Sequence, residues 1–338
     1  MADFGSEREV TMARFITNRI LSMIPVLLGV SLLIFVLLEL APGDAAQTIL
    51  GDYAEPERVE ALREDMGLND PLLVQYFRFL RDMVLEGDLG TSYSTNRPVL
   101  ETIMERYPMT IQVSVLGVIL TAILGVATGL VSAVKQYSWL DNLATVIGMV
   151  GVSAPTFFTG LLLIFVFAQR LGILPASGSY GPEYFILPII TISFSSCASQ
   201  MRMTRSSMLE VMRQDYVRTA RAKGQHEHKI ILHHELRNAM VPIITIMGTQ
   251  AGVLLGGAII VEQIFSIPGV GKLLIDSINA RDYPMVRGGV LFIALSFSVV
   301  NLLVDIMYTA VDPRIRSQFG AKRKKKVKAL SGNGGDVL

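Results

Sequence analysis

All four histidines of this 338-residue chain fall in one stretch, "HEHKIILHHE", as His226, His228, His233 and His234. Clustered imidazoles invite a metal site, and a zinc hydrolase needs two of them one helical turn apart around a glutamate. Ile230 stands four residues beyond His226, His228 and His233 are five apart, and adjacent His233 and His234 point about 100° apart on a helix. The segment reads as a polar, interface-facing stretch rather than a metal centre. A second candidate, Gly269 and Gly271 followed by Lys272, suggests a phosphate loop. That loop needs a glycine five residues before the Gly-Lys pair and a hydroxyl after it; those places hold Ser266 and Leu273. A turn followed by a short interfacial helix is expected instead. The single cysteine, Cys197, excludes an internal disulfide. No nucleophile–base pair or ligand set is evident, so no catalytic residue, metal or bound cofactor is expected.

A third stretch, "DYVRTARAKG" (215–224), carries four charges in ten residues between two apolar regions. Asp215 can cap a helix, Arg218, Arg221 and Lys223 favour its C-terminal dipole, and Gly224 suits a left-handed residue just past its end. Two turns of helix are marginal alone in water, so this one must dock on something. Val217, Ala220 and Gly224 form a small face suited to close insertion into a partner's groove. A second helix follows and is expected to run through Pro242 into an apolar span.

The surrounding elements are set by an oily composition. Hydrophobic residues make up 51% of the chain, only 17% are charged, and mean hydropathy is +0.47. The net charge of +1 offers no field for nucleic acid. Six runs lack Asp, Glu, Lys and Arg over 17 or more residues: 20–38, 107–134, 142–169, 184–201, 238–261 and 288–304. Each supplies a spanning helix once its flanks are added, which predicts an all-α membrane protein with six transmembrane helices. The first run follows Arg14 and Arg19 but exceeds a usual signal h-region, so it reads as an uncleaved span. Segments 1–19, 135–141, 202–237 and 312–338 hold 20 of the 30 basic residues, which predicts cytosolic N- and C-termini.

The expected organisation is a tail and first helix (1–40), an extracytoplasmic helical segment (41–106), a five-helix core (107–311) with a loop at 206–237, and a basic tail (312–338) drawn to lipid headgroups. In the second part, a helix is expected over Glu57–Met66. Another should open at Asn69 or Asp70 with Pro71 in its first turn, repeat Leu73, Tyr76, Phe77, Leu80 and Val84 at helical spacing to pack on the outer face of the bundle, and end at Gly87. On the fourth span, Ser193, Ser196, Cys197, Gln200 and Thr204 share one face; this polarity fits either a solute pathway or helix packing. Glu262 and Asp305, near span ends, read as solvated acids, with a role in gating as the alternative.

The stretch "QDYVRTARAKG…HHELRNAMVPIITIMG" resembles the EAA-type loop of permeases in ATP-binding-cassette importers, and closest of these the first permease of dipeptide and oligopeptide importers. The resemblance covers nearly the whole chain. It includes "LAPGD", "GLNDPLLVQYFRFL", "GDLGTSY", "RYPMTIQVS", "SAPTFFTGLLLI", "LGILPASG", "EQIFSIPGVGKLL", "ARDYP" and "NLLVDIMYTAVDPRIR". The Glu-Ala-Ala place reads Arg218-Thr219-Ala220, and the downstream proline lies 18 residues past Gly224; both departures fit the peptide-importer branch.

The resemblance implies a type I importer permease in a bacterial or archaeal plasma membrane. It implies a homologous sister permease, two cytosolic ATPases that bind ATP and Mg in this chain's stead, and an extracytoplasmic solute-binding protein. The coupling helix would comprise Asp215, Tyr216, Val217, Arg218, Thr219, Ala220, Arg221, Ala222, Lys223 and Gly224. Ser193, Ser196, Cys197 and Gln200 are its candidate pathway residues. The solute class is di- or oligopeptides, with glutathione, nickel chelates and oligosaccharides as alternatives in the same branch. A stand-alone secondary transporter would need an ionisable residue or broken-helix site at mid-membrane, and the six runs carry no acid or base.

Overall fold

A computed structural model describes residues 3–40, 44–51 and 53–311, and the predicted basic tail at 312–338 lies outside them. Among the described residues the regular structure is helical, apart from one isolated bridge between Thr91 and Pro98. Five helices have the length and apolarity to cross a membrane: Ile16–Leu40, Val99–Val134, Pro182–Met212, Glu227–Gly256 and Tyr283–Met307. They are built on α1 (Asp3–Leu40), α5 (Val99–Val134), α8 (Ile186–Met212), α11 (Arg237–Phe265) and α13 (Tyr283–Val311), respectively, with short helical turns leading into α8 and α11.

The predicted third span, 142–169, is not one helix. It is a pair, α6 (Trp139–Ser153) and α7 (Thr156–Leu163) continued by a wide π-helical stretch to Arg170, bent by 109°. Pro155 causes the break. Its ring pushes Ala154 out of the helical region to ψ 123°, and it has no N–H to return to the preceding turn. A second bend of 76° separates the end of α11 from α12 (Val270–Asn279), where Ser266 turns left-handed at φ 52° and Pro268 follows. This is the expected turn and short helix.

The centre of the bundle is the seam between α5 and α8. Gly125 and Gly129 let the two backbones close. A Cβ at Gly129 would stand 2.6 Å from the Met201 carbonyl oxygen, and one at Gly125 would stand 2.6 Å from the Gln200 side chain. Small residues at four-residue spacing are how helices pack where lipid removes the hydrophobic drive between them. α11 closes on the same pair, and Val113, Leu187, Ile192, Leu254, Ala258, Val261 and Phe265 form the largest apolar cluster there.

The segment before α5 carries α2 (Ala45–Leu50), α3 (Pro56–Asp65) and α4 (Leu72–Leu85). α3 matches its expectation to within a residue. α4 differs in two respects. Pro71 occupies its N-cap without a side-chain bond, because Asp70 is paired with Arg78 and Asn69 donates to Glu60 (2.8 Å). Its buried residues are Tyr76 and Phe79, while Leu73, Phe77 and Val84 are exposed. The reason is the docking partner. The Tyr76 hydroxyl sits 2.9 Å from Ser31 Oγ, inside the apolar run of α1, and its ring packs edge-on against Phe35. α4 therefore lies against a membrane-spanning helix and turns its remaining apolar residues outward.

Candidate functional site

At one end of the bundle, the C-termini of α5 and α8 meet the N-terminus of α11 through Ala133, Met208, Ala239 and Ile243. Below them hangs α9 (Asp215–Ala222), followed by a short α10 (Glu227–Lys229) and a π-helical turn, Ile230–Leu236, leading directly into α11. Gly224 adopts φ +71°, the left-handed conformation its position predicted. Asp215 is not the N-cap: Gln214 takes that place with extended backbone, and Asp215 opens the first turn, where its charge still suits the dipole.

The small face points the other way from expectation. Val217 and Ala220 are buried against Ile230 of the π-turn, within the chain. Fully burying one valine contributes about 1.5–3 kcal/mol, enough to hold a helix that could not stand alone. The face left outward comprises Asp215, Tyr216, Arg218, Thr219, Ala222 and Lys223, with Gly224 beyond it. It is polar, and Asp215, Arg218 and Lys223 carry its charge.

Arg221 locks α9 to the π-turn. Its guanidinium reaches Glu227 Oε1 at 2.7 Å and Glu235 Oε1 at 3.0 Å. The hydrogen bond to Glu227 leads the causes that raise the arginine's proton affinity above its ordinary value, so it is a permanent cation. Glu235 is fully buried, and its second oxygen has no hydrogen-bond partner. Tyr216 is bonded to Asn238 on α11, and desolvation raises its phenol above the ordinary range. Of the histidines, His234 Nε2 lies 2.8 Å from Gln225 Oε1 and its ring faces that of His233 edge-on. α9, the π-turn and the start of α11 thus form one body.

The same end holds a clamp that sequence reading missed. Asp141, buried at the start of α6, accepts two bonds of 2.8 Å from Arg205 on α8, one from Ser132 Oγ and one of 2.9 Å from the Tyr137 N–H. The signal available was an acid flanking an apolar run near a basic segment, which is too common to single out.

The polar stripe of α8 lies in the seams between helices. Ser193 Oγ donates to the Gly117 carbonyl (3.0 Å), Ser196 Oγ to Gln250 Oε1 (3.1 Å) and Gln200 Nε2 to the Ile243 carbonyl (3.3 Å). These three and Thr204 are buried, whereas Cys197 is half-buried. Gln200 Oε1 and Thr204 Oγ1 have no hydrogen-bond partner.

The two expectations of solvated acids need correction, Glu262 at the opposite end of the bundle and Asp305 at the same end as α9. Glu262 is fully buried: Thr110 Oγ1 donates to it at 2.6 Å and the Lys272 N–H at 3.0 Å, while the Val270 N–H donates to Thr110. At Gly269 the Glu262 carboxylate fills the space where a Cβ would stand, 2.3 Å away, and at Gly271 a Cβ would meet the Ile259 backbone at 2.5 Å before the same carboxylate at 2.9 Å. The glycine-lysine turn does cradle an anion, but the anion is the chain's own. Asp305, on α13, pairs with Arg19 of α1 at 2.7 Å.

The comparisons with known proteins agree with this architecture. Residues 125–317 match the family model described as binding-protein-dependent transport system inner membrane component, and residues 12–114 match that of its N-terminal part. The dipeptide transport system permease protein DppB of Alkalihalophilus pseudofirmus is 42% identical over 90% of this chain and 100% of its own length. The glutathione transport system permease protein GsiC of Salmonella paratyphi A is also 42% identical, over 90% of this chain and 99% of its own. Among solved structures, an inward-facing MetNI methionine ABC transporter chain superposes with TM-score 0.53 at 13% identity, over 63% of this chain and 97% of that one. That likeness carries the fold.

Proposed function

The chain belongs to the family of binding-protein-dependent transport system inner membrane components, and we propose that within an ATP-driven importer it turns ATPase closure into pore movement through residues 215–224. It is a multi-pass inner-membrane permease subunit of the peptide-importing branch, working with ATPase and binding-protein subunits. A homologous sister permease and a pair of ATPases complete the proposed assembly, with both termini of this chain and α9 on the cytosolic side. We assign ATP hydrolysis to the partners; among the described residues, the Gly271–Lys272 turn that resembles a phosphate loop is occupied by Glu262.

One observation carries the coupling reading: Val217, Ala220 and Arg221 bind α9 to the π-turn that runs directly into α11, while its outward polar face stays exposed. A partner that grips this face moves α11 with it, with little lost to flexing. Switching a two-state pore from 1:99 to 99:1 takes about 5.5 kcal/mol of differential binding, and a stiff connection is needed to deliver it. The outward residues Asp215, Tyr216, Arg218, Thr219 and Lys223 would make the contact, and Val217 and Ala220 would hold the lever.

The solute class is short peptides. Equal identity to dipeptide and glutathione permeases supports a γ-glutamyl tripeptide as a second reading of the same class. The test is cross-linking from a Thr219→Cys variant in the assembled importer, with uptake of labelled dipeptide and glutathione measured beside it. Cross-linking to an ATPase subunit that changes with bound nucleotide is expected. No cross-link in any nucleotide state, with the importer still active, would remove α9 from the coupling path.

A further inference from the structure

A cavity of about 190 Å³ opens where the end of α1 meets α3 and the first turns of α13, and it holds a cation with nothing to bind. Arg287 is layered between two aromatic rings, its guanidinium carbon 5.2 Å from the centre of Phe35 and 5.1 Å from that of Phe79. Its Nε is buried without a hydrogen-bond partner, and no hydrogen bond or ion pair reaches Arg287 among the described residues. Stacking on ring faces helps a desolvated guanidinium but leaves its in-plane donors unused. Arg287 is half-buried as a whole, and its buried Nε is costly to leave unpaired unless an anion completes it.

The other charges in the wall define what fits. Arg63 is held by Asp44 at 2.7 Å, and Asp44 also caps α2 through the Ala46 N–H. Glu39, exposed at the end of α1, is close enough to Arg287 to act on it electrostatically, yet makes no hydrogen bond among the described residues. Desolvation pushes the Tyr93 phenol above its ordinary range, so it lines the cavity as a neutral donor. The pocket therefore offers a forked cation and a phenol to an oxyanion, and a carboxylate to an ammonium group.

Position selects the source of that zwitterion. Phe35 lies at the end of the apolar run of α1 and Glu39 is the first charge after it, so the cavity stands at headgroup level. The α1 surface leading up to it exposes Leu32, Leu33, Val36 and Leu37, which suits acyl chains. At about 190 Å³ the cavity is also smaller than the ~300 Å³ and upward of ordinary solute pockets. We propose that it binds the phosphoethanolamine headgroup of an outer-leaflet phospholipid, with the phosphate on Arg287 and Tyr93 and the ammonium on Glu39. The choice of leaflet rests on the cytosolic placement of both termini proposed above, and the site does not depend on which peptide is carried.

The test reconstitutes the importer, purified with its partner subunits, in nanodiscs of phosphatidylethanolamine or phosphatidylcholine. The most tightly retained lipid is then counted by native mass spectrometry. The wild type should retain phosphatidylethanolamine. Arg287→Gln should lower its occupancy about tenfold, as loss of a charge-assisted bond predicts. Glu39→Gln, at an exposed position that leaves folding intact, should erase the preference over phosphatidylcholine, whose trimethylammonium has no N–H to donate. Equal retention by wild type and both variants would overturn the assignment. Displacement of the lipid by a millimolar dipeptide would also overturn it, by giving the same chemistry to the solute.

Discussion

Arg205 holds Asp141 through two bonds of 2.8 Å, joining residues 64 apart in sequence at the end of the bundle where α9 hangs. The planar guanidinium matches the carboxylate edge to edge, and Ser132 and the Tyr137 N–H take up its remaining lone pairs. The loop before α6 is thereby fixed to the last turns of α8, two residues before α9 begins after Met212.

Removing one partner of this clamp should destabilise the chain more than removing both. Arg205→Ala leaves a buried, unpaired carboxylate, and a group of this kind costs about 3–5 kcal/mol. The double variant with Asp141→Ala should recover part of the loss. Thermal unfolding in detergent checks it; a double variant no more stable than Arg205→Ala would mean the pair is not the source of the effect.

Arg221→Gln should uncouple without unfolding. It frees α9 from Glu235, so ATP is hydrolysed at near-normal rate while solute uptake falls by about tenfold or more, the scale of one lost charge-assisted contact. Adding Glu235→Gln removes the stranded charge and should restore part of the uptake. Measuring solute carried per ATP separates this outcome from simple loss of protein in the membrane.

Gly224 stands in open space, with no atom within 4 Å of where a Cβ would be, yet at φ +71°. Gly224→Ala should therefore cost about 1 kcal/mol of backbone strain with no steric clash, and uptake should fall modestly. Gly129→Leu is the contrasting case. Its side chain would meet the α8 backbone, separating α5 from α8 at a cost of about 1–3 kcal/mol or more, visible as poor accumulation of folded chain.

Cys197 should label slowly. Its stripe neighbours Ser193, Ser196 and Gln200 are bonded to other helices, and the thiol itself is half-buried. A small membrane-impermeant thiol reagent should react with it at least about tenfold more slowly than with Thr219→Cys, since reaction needs an accessible thiolate. Comparable rates in any nucleotide state would place a water path along α8.

What the sequence determined by itself was whatever depends on local chemistry along the chain. Long uncharged runs must become helices in lipid because each backbone polar group needs an internal partner. Gly224 marked its turn for a similar local reason, and the charge asymmetry of 215–224 separated it from its apolar neighbours. Only the tertiary structure decided which side of each element is covered. Val217 and Ala220 read equally well as a face for a partner or for the chain's own π-turn, because a small apolar stripe does not specify what covers it. Leu73 and Phe77 were misplaced for the same reason: helical spacing gives a face, but Ser31 and Phe35 chose Tyr76. The buried acids were the least legible. Glu262 accepts from Thr110, 152 residues away, and Asp282 accepts the Tyr93 N–H from 189 residues away. A carboxylate's partners are set by packing across the bundle, and no spacing along the chain encodes them.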